Sequence, residues 1–286
     1  MPASFELFAP GNPDEAVAAL RASAPGETVV LAGGTDLLGD LERDRVAPRR
    51  LLSLRRLPWK YLEWSDDSLA IGSTLPLRTL ELDPGVRTRI PGLFEAIRAV
   101  GSVALRHRAT LGGNIVRSSP ASDLLPILLA LDAEVDLVGP TGGRRAPLAE
   151  LLARSRQPRL RPAELVRAVR LPEARPSTYL WQRIRPVNDI SQVGVAVARS
   201  PRARSWRIVL GAVLPHAQRV PAAEGALGTE ARPRPEAIDS AAVAAAEFAP
   251  FAGERRGSDE YRRQIVRVLV GRAVRSIAGI PEEGAA

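Results

Sequence analysis

The sequence contains no cysteine among its 286 residues. Disulfides, thiolate nucleophiles, iron–sulfur clusters and cysteine-ligated zinc are therefore excluded from it. Only two histidines are present, His107 and His216, too few for a histidine-rich metal site. We assign no metal ligand and no catalytic residue, and redox chemistry on this chain would need an organic cofactor.

Aromatic residues make up only 4% of the sequence, and Lys60 is the only lysine among 40 basic residues. The formal net charge is nevertheless +8, because arginines are scattered along the whole chain. Nucleic-acid-binding modules carry localised basic patches, which single-strand binders combine with aromatic residues. This distribution disfavours a nucleic-acid role and is compatible with an acidic partner or an anionic ligand.

Long hydrophobic runs are also absent, and none approaches the roughly 20 apolar residues of a membrane span. The first residues lack the basic segment and apolar stretch of a signal peptide. We therefore predict a cytoplasmic protein, periplasmic only if a partner's export signal carries it. With 45% hydrophobic and 25% charged residues, the chain is typical of globular proteins and long enough for two or three domains.

The N-terminal region predicts a compact β-α-β unit. Residues 5–9 and the β-branched residues 28–32 are typical of strands, and residues 50–54 predict another buried strand. Between the first two, Asn12 is a helix N-cap followed by Pro13 at the first helical position.

The rest of the chain predicts further elements. We interpret residues 109–123 as a loop, with Asp123 capping the helix that follows, and the Pro- and Arg-rich residues 154–176 as a domain junction. Strands are predicted over residues 61–64, 69–73, 133–138, 193–198 and 206–213, and helices over residues 92–100, 237–247 and 258–277.

Two glycine-containing segments carry the chemistry. The first is LAGGTDLL, residues 31–38, and the second is TLGGNIVRSSPASD, residues 110–123. Paired glycines let the backbone approach a ligand, their N–H groups can converge on an anion, and neighbouring hydroxyls add donors. Neither segment has the Rossmann or Walker spacing, and by itself each is also typical of a tight turn. Together they suit a long diphosphate cofactor that spans both.

The segments then show a family resemblance. LAGGTDLL, LAIGSTLPL, LRHRATLGGNIVRSSPASDLLPILLALDAEV, WQRIRPVNDISQVGVAVA and GSDEYRRQIVRVLVGRAV occur in order over most of the chain. This series resembles the FAD-binding medium subunit of the molybdenum hydroxylases, the family of xanthine dehydrogenase, aldehyde oxidase and aerobic carbon monoxide dehydrogenase.

The resemblance implies an α+β fold. Two α/β subdomains of the PCMH-type FAD-binding fold would occupy residues 1–57 and 58–174. A small C-terminal α+β domain, a three-stranded antiparallel sheet with helices, would occupy residues 175–286.

The resemblance also implies a set of FAD contacts. Backbone groups of Gly33, Gly34 and Thr35 would donate to the pyrophosphate, and Asp123 would accept hydrogen bonds from cofactor hydroxyls. Ser118 is either a further contact or a turn residue. The remaining contacts would be Leu31, Ala32, Asp36 and Leu37 in the first loop, and Thr110, Gly112, Gly113 and Asn114 in the second.

The function implied is electron relay. A molybdenum-cofactor large subunit would hydroxylate the substrate, and two [2Fe–2S] clusters of a small subunit would pass electrons to the FAD of this chain. The flavin would deliver them to NAD, oxygen or another acceptor. The three subunits would form a heterotrimer or its dimer.

Departures from the family pattern leave the acceptor open. His107 follows Arg106 where relatives have asparagine, Trp181-Gln182 stands where a lysine is common, and Asn188 stands where relatives that use NAD have an acid. Trp181 is interpreted as core rather than as a flavin contact. The absence of cysteine disfavours the hydroxybenzoyl-CoA reductase branch. The alternatives are a stand-alone PCMH-type flavin oxidoreductase and a non-catalytic assembly or scaffold protein.

Overall fold

The computed structural model describes residues 4–152, 158–185, 189–248 and 257–281. Its strands form three separate sheets, each drawn from one continuous part of the chain. The mixed α and β architecture predicted from the sequence is confirmed. The predicted domain boundaries at residues 57/58 and 174/175 remain a prediction.

The first sheet is parallel and has the order β1-β3-β2. Asn12 caps its first helix as predicted, because the Asn12 side chain accepts the Glu15 N–H at 2.9 Å and the Glu15 carboxylate accepts from Asn12 Nδ2 at 2.7 Å. The elements of this part are β1 (Glu6–Phe8), α1 (Pro13–Arg21), β2 (Thr28–Leu31), α2 (Leu37–Glu42) and β3 (Arg50–Ser53).

The second sheet has five antiparallel strands in the order β4-β5-β8-β6-β7. Its strands are β4 (Leu62–Ser65), β5 (Ser68–Gly72), β6 (Glu134–Gly139), β7 (Gly142–Pro147) and β8 (Leu165–Leu171). The central strand β8 lies inside the stretch interpreted as a domain junction, so that interpretation is wrong for these residues. Their apolar pattern was hidden by flanking prolines and arginines, although five of the seven residues of β8 are buried.

Helices cover this second sheet and surround one long apolar core. All seven residues of α8 are buried, so the helix reads as hydrophobic on every face. The helices are α3 (Leu77–Leu82), α4 (Pro84–Arg89), α5 (Pro91–Ala99), α6 (Val103–Arg106), α7 (Leu111–Arg117), α8 (Leu124–Ala130) and α9 (Leu148–Leu152).

The third sheet is antiparallel and has the order β12-β11-β10-β9. It contains the three strands expected for the C-terminal domain and a fourth of only two residues. The strands are β9 (Ser177–Gln182), β10 (Val193–Ser200), β11 (Ser205–Gly211) and β12 (Gln218–Arg219). The helices are α10 (Pro221–Leu227), α11 (Pro235–Glu247) and α12 (Asp259–Ala278), which pack with the sheet around a second core.

Within the described ranges, no helix combines the length and hydropathy needed to cross a lipid bilayer.

Candidate functional site

The two glycine segments lie against each other. A Cβ atom added to Gly33 would overlap the carbonyl group of Arg108, just before the second segment. The Gly112 N–H donates to the Ser73 carbonyl at 3.2 Å, and a Cβ on Gly112 would meet the Ser73 side chain at 2.7 Å. Both glycines are therefore required for close packing of the two segments against neighbouring backbone. The sequence pattern alone does not distinguish this packing role from close approach to a ligand.

The first segment supplies unused backbone donors. It runs from Leu31 and Ala32 at the end of β2 to Leu37 at the start of α2. The N–H groups of Gly33, Gly34 and Thr35 make no hydrogen bond to any residue that the structure describes. Gly34 has a φ of +79°, which an L side chain adopts only with strain, while Thr35 and Asp36 are exposed. Successive free N–H groups in a turn are a known means of binding an anion.

The second segment is not the loop predicted from its sequence, because residues 111–117 form helix α7. The Thr110 hydroxyl accepts the Gly113 N–H at 3.1 Å and caps this helix. Its two glycines have low helix propensity, so the sequence did not predict a helix here. Tertiary packing of Leu111 and Ile115 stabilises it.

As a result, most backbone donors of the second segment are already used. The Gly112 N–H bonds to Ser73, the Gly113 N–H to Thr110, and the Asn114 N–H to the Thr110 carbonyl. Asn114 Oδ1 also accepts from Ser122 Oγ at 2.6 Å, which leaves its amide N–H groups as donors. Side chains rather than backbone groups are therefore what this segment offers a ligand.

Two buried hydroxyls beside these segments have no partner within the described residues. They belong to Ser118, directly after α7, and to Ser73, against Gly112. Ser118 also adopts the left-handed conformation with φ of 46°, uncommon for a residue other than glycine. Orphaned buried polar groups are rare in folded proteins. Together with the free N–H groups, they fit a cofactor rich in oxygen atoms.

Asp123 does not cap α8 as predicted, because its side chain makes no capping bond. Ser122 Oγ accepts the N–H groups of Leu124 and Leu125 instead, each at 3.2 Å. The buried Asp123 carboxylate accepts hydrogen bonds from the C-terminal part of the chain. Its donors are Tyr179 Oη at 2.8 Å, Ser191 Oγ at 2.6 Å and Arg183 Nη2 at 3.0 Å.

This cluster joins the second segment to the third sheet. Burial raises the pKa of Asp123, although Ser191, Arg183 and Tyr179 favour its ionised form. Burial and the neighbouring Asp123 also raise the pKa of the Tyr179 hydroxyl, so Tyr179 remains a hydrogen-bond donor. Sequence analysis missed these three partners because they lie 56 to 68 residues from Asp123 along the chain.

An ion pair joins the second glycine segment to helix α2, which begins within the first segment. Arg117 Nη1, at the end of α7, lies 2.6 Å from Oδ2 of Asp40 in α2. No local motif predicts a contact across 77 residues, and sequence analysis did not single out Arg117.

The structure describes three of the four residues that depart from the family pattern, Trp181, Gln182 and His107. Trp181 packs against the large core, stacks on Tyr179 with ring centroids 5.7 Å apart and lies under the Arg183 guanidinium at 5.5 Å. Gln182 donates to the Arg183 carbonyl, and His107 is exposed. Asn188 lies outside the described residues. Among the residues described, no cluster of three or more His, Asp or Glu side chains could hold a metal ion.

Comparison with known proteins places this geometry in context. Residues 3–174 match the model of the FAD binding domain in molybdopterin dehydrogenase, and residues 179–277 match the CO dehydrogenase flavoprotein C-terminal domain. The carbon monoxide dehydrogenase medium chain of Hydrogenophaga pseudoflava is 28% identical over 280 residues, which cover 96% of this chain and 97% of that one. The nicotine 6-hydroxylase medium subunit of Paenarthrobacter nicotinovorans is 28% identical and covers 88% of this chain and 90% of its own length.

Two solved structures superpose on this chain over nearly its whole length. A carbon monoxide dehydrogenase structure from Hydrogenophaga pseudoflava, which lacks the Mo-pyranopterin moiety of its cofactor, superposes with a TM-score of 0.88 at 28% identity. The superposition covers 98% of this chain and 99% of that chain. Quinoline 2-oxidoreductase from Pseudomonas putida 86 superposes with a TM-score of 0.87 at 23% identity over 98% of both chains, a likeness of fold.

Proposed function

Since the chain belongs to the family of FAD-binding medium subunits of the molybdenum hydroxylases, and is thus an FAD-binding oxidoreductase subunit, we propose that it relays electrons within a three-subunit complex. It would receive electrons from [2Fe–2S] clusters of a small subunit. It would deliver them to NAD, oxygen or another acceptor. A large subunit with the molybdenum cofactor would carry out the substrate chemistry, in a heterotrimer or its dimer. A cytoplasmic location stays a prediction.

The observation that carries the site proposal is the set of free N–H groups in the first glycine segment. Gly33, Gly34 and Thr35 would bind the FAD pyrophosphate through these groups, which need no rearrangement of existing hydrogen bonds. Leu31, Ala32, Asp36 and Leu37 would line the cofactor beside them. The aliphatic side chains among these four would shield the pyrophosphate contacts from water and so strengthen them.

The second segment would hold the cofactor with side chains. The Asn114 amide and the orphaned Ser118 hydroxyl are donors that it offers, and Thr110, Gly112 and Gly113 form the start of the helix that carries Asn114. Asp123 already accepts three hydrogen bonds, so any bond from a cofactor hydroxyl would be its fourth.

The chemistry of the relay belongs to the bound flavin, which accepts and releases electrons in pairs or singly. The role of this chain is to bind the cofactor, fix its orientation and set its surroundings. Each named residue accordingly has a binding role and none is assigned as a general acid or base.

Anaerobic rapid mixing tests the relay. The FAD-loaded chain is mixed with the reduced small subunit of its complex, and flavin absorbance near about 450 nm is followed. Bleaching that depends on the small subunit, followed by recovery on adding NAD or oxygen, is the expected result and identifies the acceptor. A flavin that stays oxidised in the assembled complex would refute the relay.

A further inference from the structure

The residues proposed to contact FAD lack positive charge. They include two carboxylates, Asp36 and Asp123, and no lysine or arginine. The diphosphate of FAD is an anion, and holding an anion away from water is unfavourable without compensating charge or hydrogen bonds. Arg183 pairs with Asp123, so its charge is already balanced. A further cation near the first glycine segment would complete the site.

Arg117 has the position for this role. It is the last residue of α7 and reaches from the second segment to helix α2, where its Nη1 lies 2.6 Å from Asp40 Oδ2. Its Nε lies 3.9 Å from Asp36 Oδ1, and Asp36 directly follows Thr35. The Arg117 side chain is half-exposed, at 47%.

Asp40 has a second arginine. Arg45 Nη1 lies 3.3 Å from Asp40 Oδ1, on the carboxylate oxygen that Arg117 does not use. Burial acts to raise the pKa of Asp40, but the two guanidiniums outweigh burial and the pKa lies below its ordinary value. Arg45 therefore remains as a cationic partner of Asp40 if Arg117 pairs with something else.

The residue after Arg117 supplies independent support for a ligand here. Ser118 is buried, its hydroxyl has no partner within the described residues, and its backbone is left-handed. Strained residues with unsatisfied polar groups are characteristic of sites that bind ligands. Arg117 and Ser118 thus form a polar pair at the point where α7 ends beside the first segment.

We propose that Arg117 is a ligand of the FAD pyrophosphate, pairing with it while Asp40 retains Arg45. This inference rests on the FAD site proposed above and adds a residue to it. Guanidinium groups match phosphate oxygens with two parallel hydrogen bonds, which makes arginine well suited to this contact. Asp40 then acts as a competitor that holds Arg117 in position before the cofactor arrives.

Two substitutions with opposite expected effects test the proposal. FAD is titrated into the cofactor-free chain and its fluorescence quenching gives Kd. Arg117→Gln should raise Kd about tenfold, because the phosphate contact is lost. Asp40→Asn should lower Kd about threefold, because the competing carboxylate is removed. Arg45→Gln is the matched control: it removes the other guanidinium of Asp40 and should raise Kd by less than Arg117→Gln.

Salt dependence separates a phosphate contact from a fold effect. If Arg117 binds the pyrophosphate, raising the NaCl concentration weakens FAD binding less in Arg117→Gln than in the wild type. Arg117→Lys keeps the charge and should retain most of the salt dependence. Thermal unfolding without FAD identifies any variant that fails to fold. If Arg117→Gln fails to fold, the Kd values and salt dependence of Arg117→Lys and Asp40→Asn test the proposal instead.

Two results would overturn the inference while leaving FAD binding intact. One is that Asp40→Asn and Arg117→Gln raise Kd equally with unchanged salt dependence, which makes the pair a structural clamp between the segments. The other is that Arg117→Gln binds FAD as the wild type does. A wild-type chain whose FAD binding resists substitutions in both glycine segments would instead contradict the proposed site itself.

Discussion

Gly33 and Arg108 are in backbone contact, and a single methyl group on Gly33 would overlap the Arg108 carbonyl. This contact sets the first glycine segment against the start of the second. It links the end of β2, in the parallel β1-β3-β2 sheet, to the residues that lead into helix α7.

Gly33→Ala should therefore destabilise the chain and weaken FAD binding together. Because backbone atoms must move to admit the methyl group, we expect the free energy of unfolding to fall by about 3 kcal/mol. Gly26→Ala is the control, since Gly26 has a φ of +81° with open space around it. It should lose only about 1 kcal/mol of conformational strain and bind FAD normally. Urea unfolding and FAD titration of both variants measure this, and equal losses would contradict the packing explanation.

Tyr179→Phe should weaken the link between the second segment and the third sheet. The substitution removes the hydroxyl that donates to Asp123 and leaves the stacked ring in place. Loss of a hydrogen bond to a buried charged group costs about 1.5–3 kcal/mol of unfolding free energy. Tyr261→Phe is the comparison, because Tyr261 is 42% exposed. Indistinguishable unfolding curves for the two variants would show that the Asp123 cluster contributes no stability.

Glu81→Gln should destabilise the chain in a pH-dependent way. Glu81 accepts two hydrogen bonds from the buried Arg106, at 2.8 and 3.1 Å. Burial acts to raise the pKa of Glu81, but Arg106 and Arg78 outweigh it and the pKa is lowered. A lowered folded-state pKa stabilises the protein above the unfolded value of about 4.3, and this stability is lost as pH falls through the folded value.

The wild type should accordingly exceed Glu81→Gln by about 3 kcal/mol at pH 7, with the difference shrinking below about pH 4. Asp239→Asn, which breaks the pair with Arg275 at an Asp239 side chain that is 66% exposed, should cost about 0.5 kcal/mol or less. Urea unfolding across this pH range supplies the comparison. A difference that grows toward acid pH would reverse the assigned sign.

Local sequence signals predicted elements whose ends are marked by side chains. Asn12 caps α1 as predicted, and Ser258 caps α12 at the predicted start of that helix. The signals failed where tertiary contacts decide: α7 contains two glycines, and β8 lies among prolines and arginines. Both elements form because their apolar side chains enter the large core, which no short window of sequence reports.

The site was predictable as a pair of glycine segments. That the first offers backbone N–H groups and the second offers side chains was not predictable. Only the structure shows which backbone N–H groups lack a hydrogen bond. Those of the second segment bond to Thr110 and Ser73, whereas those of the first segment remain free within the described residues. The partners of Asp123 and Asp40 lie on distant parts of the chain, so pattern alone could not supply Tyr179, Arg183 or Arg117. Whether each predicted residue contacts FAD stays a prediction.

The most direct measurement is the visible absorption spectrum of the chain after incubation with FAD and gel filtration, for the wild type and two matched variants. Thr35→Glu places a negative charge beside the free N–H groups at an exposed position, and Thr229→Glu makes the same change at an exposed position of the C-terminal part. Flavin bands at about 370 and 450 nm should persist in the wild type and Thr229→Glu and disappear in Thr35→Glu. Retention of the bands in folded Thr35→Glu at wild-type strength would contradict the assignment of the first glycine segment as the pyrophosphate site.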